Sequence, residues 1–125
     1  MFRRMGPSVT ELRTIPLFQG FGDAELAEVG RRFREVEVDR APLFDVGEPA
    51  TTLYVLTRGE VVLGAGDDVF RLRPPALIGE LGALTGLPRS TRATASEGAT
   101  VWALEAKELQ GVLGAHQELG LRFLV

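Results

Sequence analysis

A mainly β chain, folded as an antiparallel β jelly-roll barrel (a double-stranded β-helix) with helices at both ends, is predicted by three observations. Between Glu35 and Leu104 apolar residues recur in short runs, and the first of them alternates with period two. Those runs are punctuated by glycine turns at Gly47, Gly59, Gly64 and Gly66, with no long helix between them, which argues against the βαβ units of a parallel sheet. Helical periodicity is confined to the two ends.

At the first end, Val9, Leu12 and Ile15 fit a short helical turn that Pro16 stops, delivering Leu17, Phe18 and Phe21 to the core. Leu26, Val29, Gly30 and Phe33 then stand at i, i+3, i+4 and i+7, with Glu25, Glu28, Arg31 and Arg32 between them. That spacing predicts an amphipathic helix over about 23–33, capped from Gly22-Asp23. Val36 and Val38 alternate with Glu35, Glu37 and Asp39, and strands are expected at Leu43-Phe44, Leu53–Leu56, Val61–Leu63 and Val69–Leu72. Pro74-Pro75 stops the last of these; Arg89–Ala95 and Thr100–Leu104 complete the set. Glu105–Leu113 reads as a helix with Leu109, Val112 and Leu113 inward, and a second helical segment runs from about Gln117 to Val125. The 125 residues therefore make one domain: a helical part at 8–34, the barrel at 35–104 and C-terminal helices at 105–125.

Composition narrows the chemistry. Fourteen basic against seventeen acidic residues give a formal charge of −3, without the basic excess that direct nucleic-acid or anionic-membrane binding uses. The lack of cysteine removes disulfides, thiolate chemistry and Cys-based zinc sites, and one histidine, His116, cannot build a multi-histidine metal centre. No run approaches a membrane span, since the most apolar segment, Pro74–Leu84, contains Glu80. The charged start leads into no apolar stretch, so a signal peptide is not expected and a cytoplasmic location is. No nucleophile elbow surrounds Ser90, so His116 is expected at the surface or on a helix end rather than in a triad. Asp67-Asp68 reads as a solvated turn, and Arg31, Arg32 and Arg34, offset by Glu28, Glu35 and Glu37, as a solvated face.

Residues 79–90 are longer than a strand connection requires. Gly79 and Gly82 allow close backbone approach, and a helical turn beginning near Glu80 would present the N–H groups of Leu81 and its neighbours to an anion. Arg89 adds a planar cationic fork, Ser90 a hydroxyl, and Glu80 an acceptor suited to a sugar hydroxyl. Together they describe a ribose-phosphate site without catalytic chemistry. From residue types alone, Glu80 and Arg89 fit an ordinary loop-tying ion pair as well.

The spacing Ile78-Gly79-Glu80-Leu81-Gly82-Ala83-Leu84, a three-residue spacer, then Pro88-Arg89-Ser90 resembles the phosphate-binding cassette of the cyclic-nucleotide-binding domain family. That family includes catabolite-activator-type regulators, protein kinase regulatory subunits and cyclic-nucleotide-gated channels. Leu43-Phe44 with Gly47-Glu48, Leu53-Tyr54-Val55 with Arg58-Gly59, and Val101–Leu104 match its barrel turns and last strand, so the resemblance covers residues 12–124, with the cassette at 78–91.

The resemblance implies that Glu80 holds the ribose 2′-hydroxyl, that Gly79 and Leu81 offer backbone N–H groups, and that Arg89 pairs with the phosphate, aided by Ser90 and with Thr91 beside them. Val61, Leu63 and Val69 would face sugar and base. It further implies a non-enzymatic regulatory domain with no cofactor and no metal, whose ligand is cAMP or cGMP, cAMP in preference. The 79–90 loop would move on the phosphate and shift the C-terminal helices, acting on an effector domain in a longer parent chain or on a partner protein, with a homodimer through the C-terminal helix as a further arrangement. Three positions depart from the family pattern. Thr91-Arg92 follow Ser90 where Ala-Thr/Ser is usual, with Arg92 expected to face solvent; Thr51 stands where an Asp often braces the arginine; and the last helix has barely begun at Val125. The alternative is a domain of the same fold that binds no nucleotide and serves as an interaction module.

Overall fold

The computed structural model describes residues 6–39, 41–79 and 88–115. Helix α1, Val9–Arg13, opens with a capping box in which Ser8 Oγ accepts from Glu11 N–H at 3.1 Å and the Glu11 carboxylate accepts from Ser8 N–H at 2.9 Å. A 3₁₀ turn at Pro16–Phe18 comes next. Helix α2 spans Asp23–Arg32, with Asp23 and Glu25 in its first turn and Arg31 and Arg32 in its last, each charge favourable to the helix dipole. It stops one residue sooner than its apolar spacing suggests, because Phe33 is already extended at φ −72°, ψ 146° and leads into β1, Arg34–Val36.

The remaining strands are β2 Thr52–Arg58, β3 Val61–Ala65, β4 Asp68–Leu72, β5 Ala76–Ile78, β6 Ala93–Ala95 and β7 Thr100–Glu105, and helix α3 covers Ala106–Ala115. All pairings are antiparallel: one sheet has the order β1-β7-β2-β5 and the other β4-β3-β6. This is the mainly β, jelly-roll architecture that the sequence predicts. Two expected strands are shorter than their apolar runs. Leu43-Phe44 makes only a bridge, Phe44 to Ala93, and the Arg89–Ala95 run begins its ladder at Ala93. Arg89 spends its main-chain groups on the turn instead, donating to the Glu48 carbonyl at 2.9 Å and accepting from Gly47 N–H at 2.8 Å. The helical turn expected from Glu80, the second C-terminal helix and His116 lie outside the described residues.

Strand alternation divides the interior in two. Leu53 faces Leu104 and Val55 faces Trp102 across the β2–β7 ladder; these four pack outward against Leu12, Phe18, Leu26, Val29 and Leu109 of the helical parts. The next pair along the ladder, Leu56 and Val101, points the other way and joins Phe44, Val61, Ile78, Ala93 and Ala95 between the two sheets. Trp102 completes its burial by donating its indole N–H to Thr57 Oγ1 at 3.0 Å. Among the described residues no helix is long and apolar enough to cross a membrane.

Candidate ligand-binding site

Arg89 sits at the edge of the inter-sheet core, and the structure buries it to 6% exposure. Its Nη1 donates to the Gly79 carbonyl at 2.8 Å, its Nη2 donates to the Thr52 carbonyl, and its Nε is buried without a partner. The guanidinium carbon lies 4.2 Å from the centroid of the Phe44 ring. Among the described residues no carboxylate is hydrogen-bonded to it. The exposed Glu48 contributes only a Coulombic attraction. Burial therefore pulls the Arg89 pKa below its ordinary value, while its intrinsic basicity keeps it charged at physiological pH. The neighbouring Tyr54 phenol is pushed up, again by burial first.

Gly79 is required where it stands. Its φ of +82° is a conformation that L side chains rarely adopt, and a Cβ there would collide with Arg89 Nη1 and lie 3.1 Å from Arg89 Cζ. Gly79 and Arg89, ten residues apart in the chain, are thus brought into direct contact. Glu80 and Leu81 lie outside the described residues. Ser90 is exposed and Thr91 half-buried.

Val61 is fully buried and Leu63 packs on the same inter-sheet cluster. The β3–β4 register corrects the expectation for Val69. Val69 pairs with Gly64 and so shares the face of Val62 and Arg71, opposite to Val61 and Leu63. Phe70, across from Leu63 and 65% exposed, takes the position on their face that Val69 was expected to hold. A two-residue period fixes which residues share a face, but not the register across a hairpin, and a shift of one reverses the assignment.

Arg92 is bound at the surface by Asp45, 2.9 Å away, which agrees with its expected solvent-facing position. Thr51, expected where a bracing carboxylate often lies, is exposed; the brace comes instead from the main-chain carbonyls of Thr52 and Gly79. Side-chain reading misses both because a carbonyl is the same at every residue. Phe44 stood in a motif that the sequence displays, yet only the fold shows its ring under the arginine. Among the described residues no group of three or more His, Asp or Glu could hold a metal ion.

The fold and the site define a jelly-roll domain with a buried cation, to which no carboxylate of the described residues is hydrogen-bonded, beside a segment set between two strands. The chain belongs to the cyclic nucleotide-binding domain family, whose model matches residues 39–116. It is similar to a cyclic nucleotide-gated potassium channel of Mesorhizobium japonicum, 29% identical over 106 residues, which cover 84% of this chain and 30% of the channel. Among solved structures it is similar to the N-terminal domain of a transcriptional regulator from Streptomyces coelicolor A3(2), with 33% identity, TM-score 0.76 and coverage of 94% of this chain and 88% of that one. It is also similar to a structure solved for a cyclic-GMP-dependent signalling pathway that regulates bacterial phytopathogenesis, with 29% identity, TM-score 0.68 and coverage of 83% and 88%. The chain thus spans less than a third of the curated channel it matches.

Proposed function

We propose that this chain is a regulatory domain that binds a 3′,5′-cyclic nucleotide and performs no catalysis. The observation that carries the reading is Arg89, a buried cation bound to two neutral carbonyls and an aromatic face. A guanidinium has five N–H donors, and the two carbonyls use two of them. A desolvated charge held by neutral groups is costly, and no carboxylate of the described residues is hydrogen-bonded to this one; an anion that reaches the remaining donors relieves that cost. A cyclic phosphodiester has the required charge and planar oxygen pair.

Family membership supports the same ligand. In this reading Glu80 accepts from the ribose 2′-hydroxyl, Gly79 and Leu81 offer N–H groups, Ser90 and Thr91 flank the phosphate, and Val61 and Leu63 line the pocket floor. Binding draws residues 79–90 onto the phosphate and shifts the C-terminal helical part, which acts on an effector in a longer parent chain or partner. The sequence expectation favours cAMP; the relative studied in a cyclic-GMP pathway puts cGMP into the test on equal terms.

Calorimetric titration with cAMP, cGMP and 2′-deoxy-cAMP tests the reading. Saturable binding of a ribo-nucleotide is expected, with the 2′-deoxy analogue weaker by about 1–3 kcal/mol because it leaves the Glu80 acceptor unpaired. Equal affinity for ribo- and deoxy-ligands removes Glu80 from the site. No binding of either ribo-nucleotide hands the fold to the interaction-module alternative.

A further inference from the structure

We propose that Phe44 is the positioning residue of this site: its ring braces Arg89, a contact that orients the cation without itself neutralising it. The proposal rests on the reading that Arg89 takes the ligand phosphate. A cation within about 6 Å of a ring centroid is attracted by the ring quadrupole, and the attraction grows when both partners are desolvated. Here the separation is 4.2 Å and both residues are 6% exposed.

The two side chains are also held by one ladder of contacts between residues 43–48 and 89–93. Ala93 N–H donates to the Phe44 carbonyl at 3.0 Å, and Leu43 N–H to the Ala93 carbonyl at 2.7 Å. Asp45 pairs with Arg92, and Gly47 and Glu48 bond the main chain of Arg89 on both sides. The Phe44 ring further packs on Tyr54, with centroids 5.9 Å apart and planes 31° from parallel. Ring and guanidinium are therefore fixed relative to each other before any ligand arrives, which lowers the ordering cost of binding.

The difference from a carboxylate brace is electrostatic. A carboxylate on Arg89 would occupy two N–H donors and repel the incoming anion. The aromatic face and the two carbonyls orient the fork without themselves neutralising it. Phe44 itself touches no ligand oxygen in this scheme; it acts through Arg89.

The test places a graded fluorophenylalanine series at position 44, which weakens the quadrupole at nearly constant shape, beside Phe44→Leu and Phe44→Tyr. Affinity for cAMP and cGMP, thermal midpoint and the Arg89 side-chain Nε–Hε resonance are measured on each. Affinity should fall stepwise with fluorination and about tenfold (about 1.4 kcal/mol) for Phe44→Leu, while Phe44→Tyr recovers it and the fluorinated midpoints stay near the parent's. The Hε resonance of the ligand-free parent should carry a ring-current shift that Phe44→Leu abolishes. Fluorinated variants that bind as tightly as the parent overturn the proposal, as does a parent Hε without that shift. A parent that shows the shift yet binds neither nucleotide overturns the proposed function while upholding the Phe44–Arg89 brace.

Discussion

The two cores of this molecule share the β2–β7 ladder and differ in how they end. The outer one, between that ladder and the helices, is built from apolar side chains such as Leu12, Phe18, Leu26, Leu53, Val55 and Leu104, all at 0–1% exposure. The inner one, between the sheets, is just as apolar at its centre, with Leu56, Val61 and Val101 at 0%, but it runs into a buried guanidinium at its edge. Burial is therefore not one property in this chain. In the outer core it stabilises the fold, and in the inner core it also raises the cost of leaving Arg89 without an anion. The same strands serve both because successive side chains point to opposite faces.

The largest expected effect lies in the outer core. Phe18→Ala should cost about 3–5 kcal/mol in urea unfolding, because it removes a fully buried ring that packs edge-on against Phe21 at 5.9 Å. Nucleotide affinity, measured where the variant is still folded, should stay at the parental value. A parallel loss of affinity would mean that the two cores are not separable.

Arg89→Ala should do the reverse. Loss of a desolvated charge-assisted contact is expected to weaken cyclic-nucleotide binding by about 2–5 kcal/mol, while the unfolding free energy moves less than it does in Phe18→Ala. The two effects on stability are opposed: relief of a buried charge that is bonded only to neutral groups among the described residues, and the orphaning of the Gly79 and Thr52 carbonyls. Unchanged affinity in calorimetry would detach Arg89 from the ligand.

Gly79→Ala sharpens the boundary between the cores, since it acts on both quantities. At φ +82° the new methyl group is strained by about 1–3 kcal/mol and is forced into the guanidinium, so affinity and thermal midpoint should fall together. A fall in midpoint with intact affinity would show that Arg89 can move aside without loss of function.

The smallest effect is at the surface. Asp45 is held below its ordinary pKa, first by the hydrogen bond from Arg92 and then by that from Val46 N–H. A depressed folded-state pKa contributes stability that is present above the unfolded carboxyl value, about 3.9, and is lost as pH falls through the folded value. Asp45→Asn should therefore lower the melting temperature slightly at neutral pH and not at all once the parental carboxyl is protonated. A difference that persists undiminished in acid would assign the loss to packing instead.

Much of the fold was legible in the sequence because it depends on periods and breakers. The 3.6-residue spacing of Leu26, Val29, Gly30 and Phe33 gives α2 to within a residue, and the glycine turns separate β2, β3 and β4, while β5, Ala76–Ile78, was not among the expected strands. Short-range competition was less legible. Leu43-Phe44 and the start of the Arg89–Ala95 run read as strands, yet their main-chain groups pair across a turn whose partner is more than forty residues away.

By itself the sequence determined the fold class, the positions of β2 and β7, and Gly79 and Arg89 as members of one motif, because spacing and residue type carry that information. The tertiary structure alone decided that Phe70 rather than Val69 lies opposite Leu63, and that two carbonyls and the Phe44 ring hold Arg89. Register and main-chain acceptors leave no mark on residue identity. They exist only once distant segments are brought together, and here they set the charge that a ligand would meet.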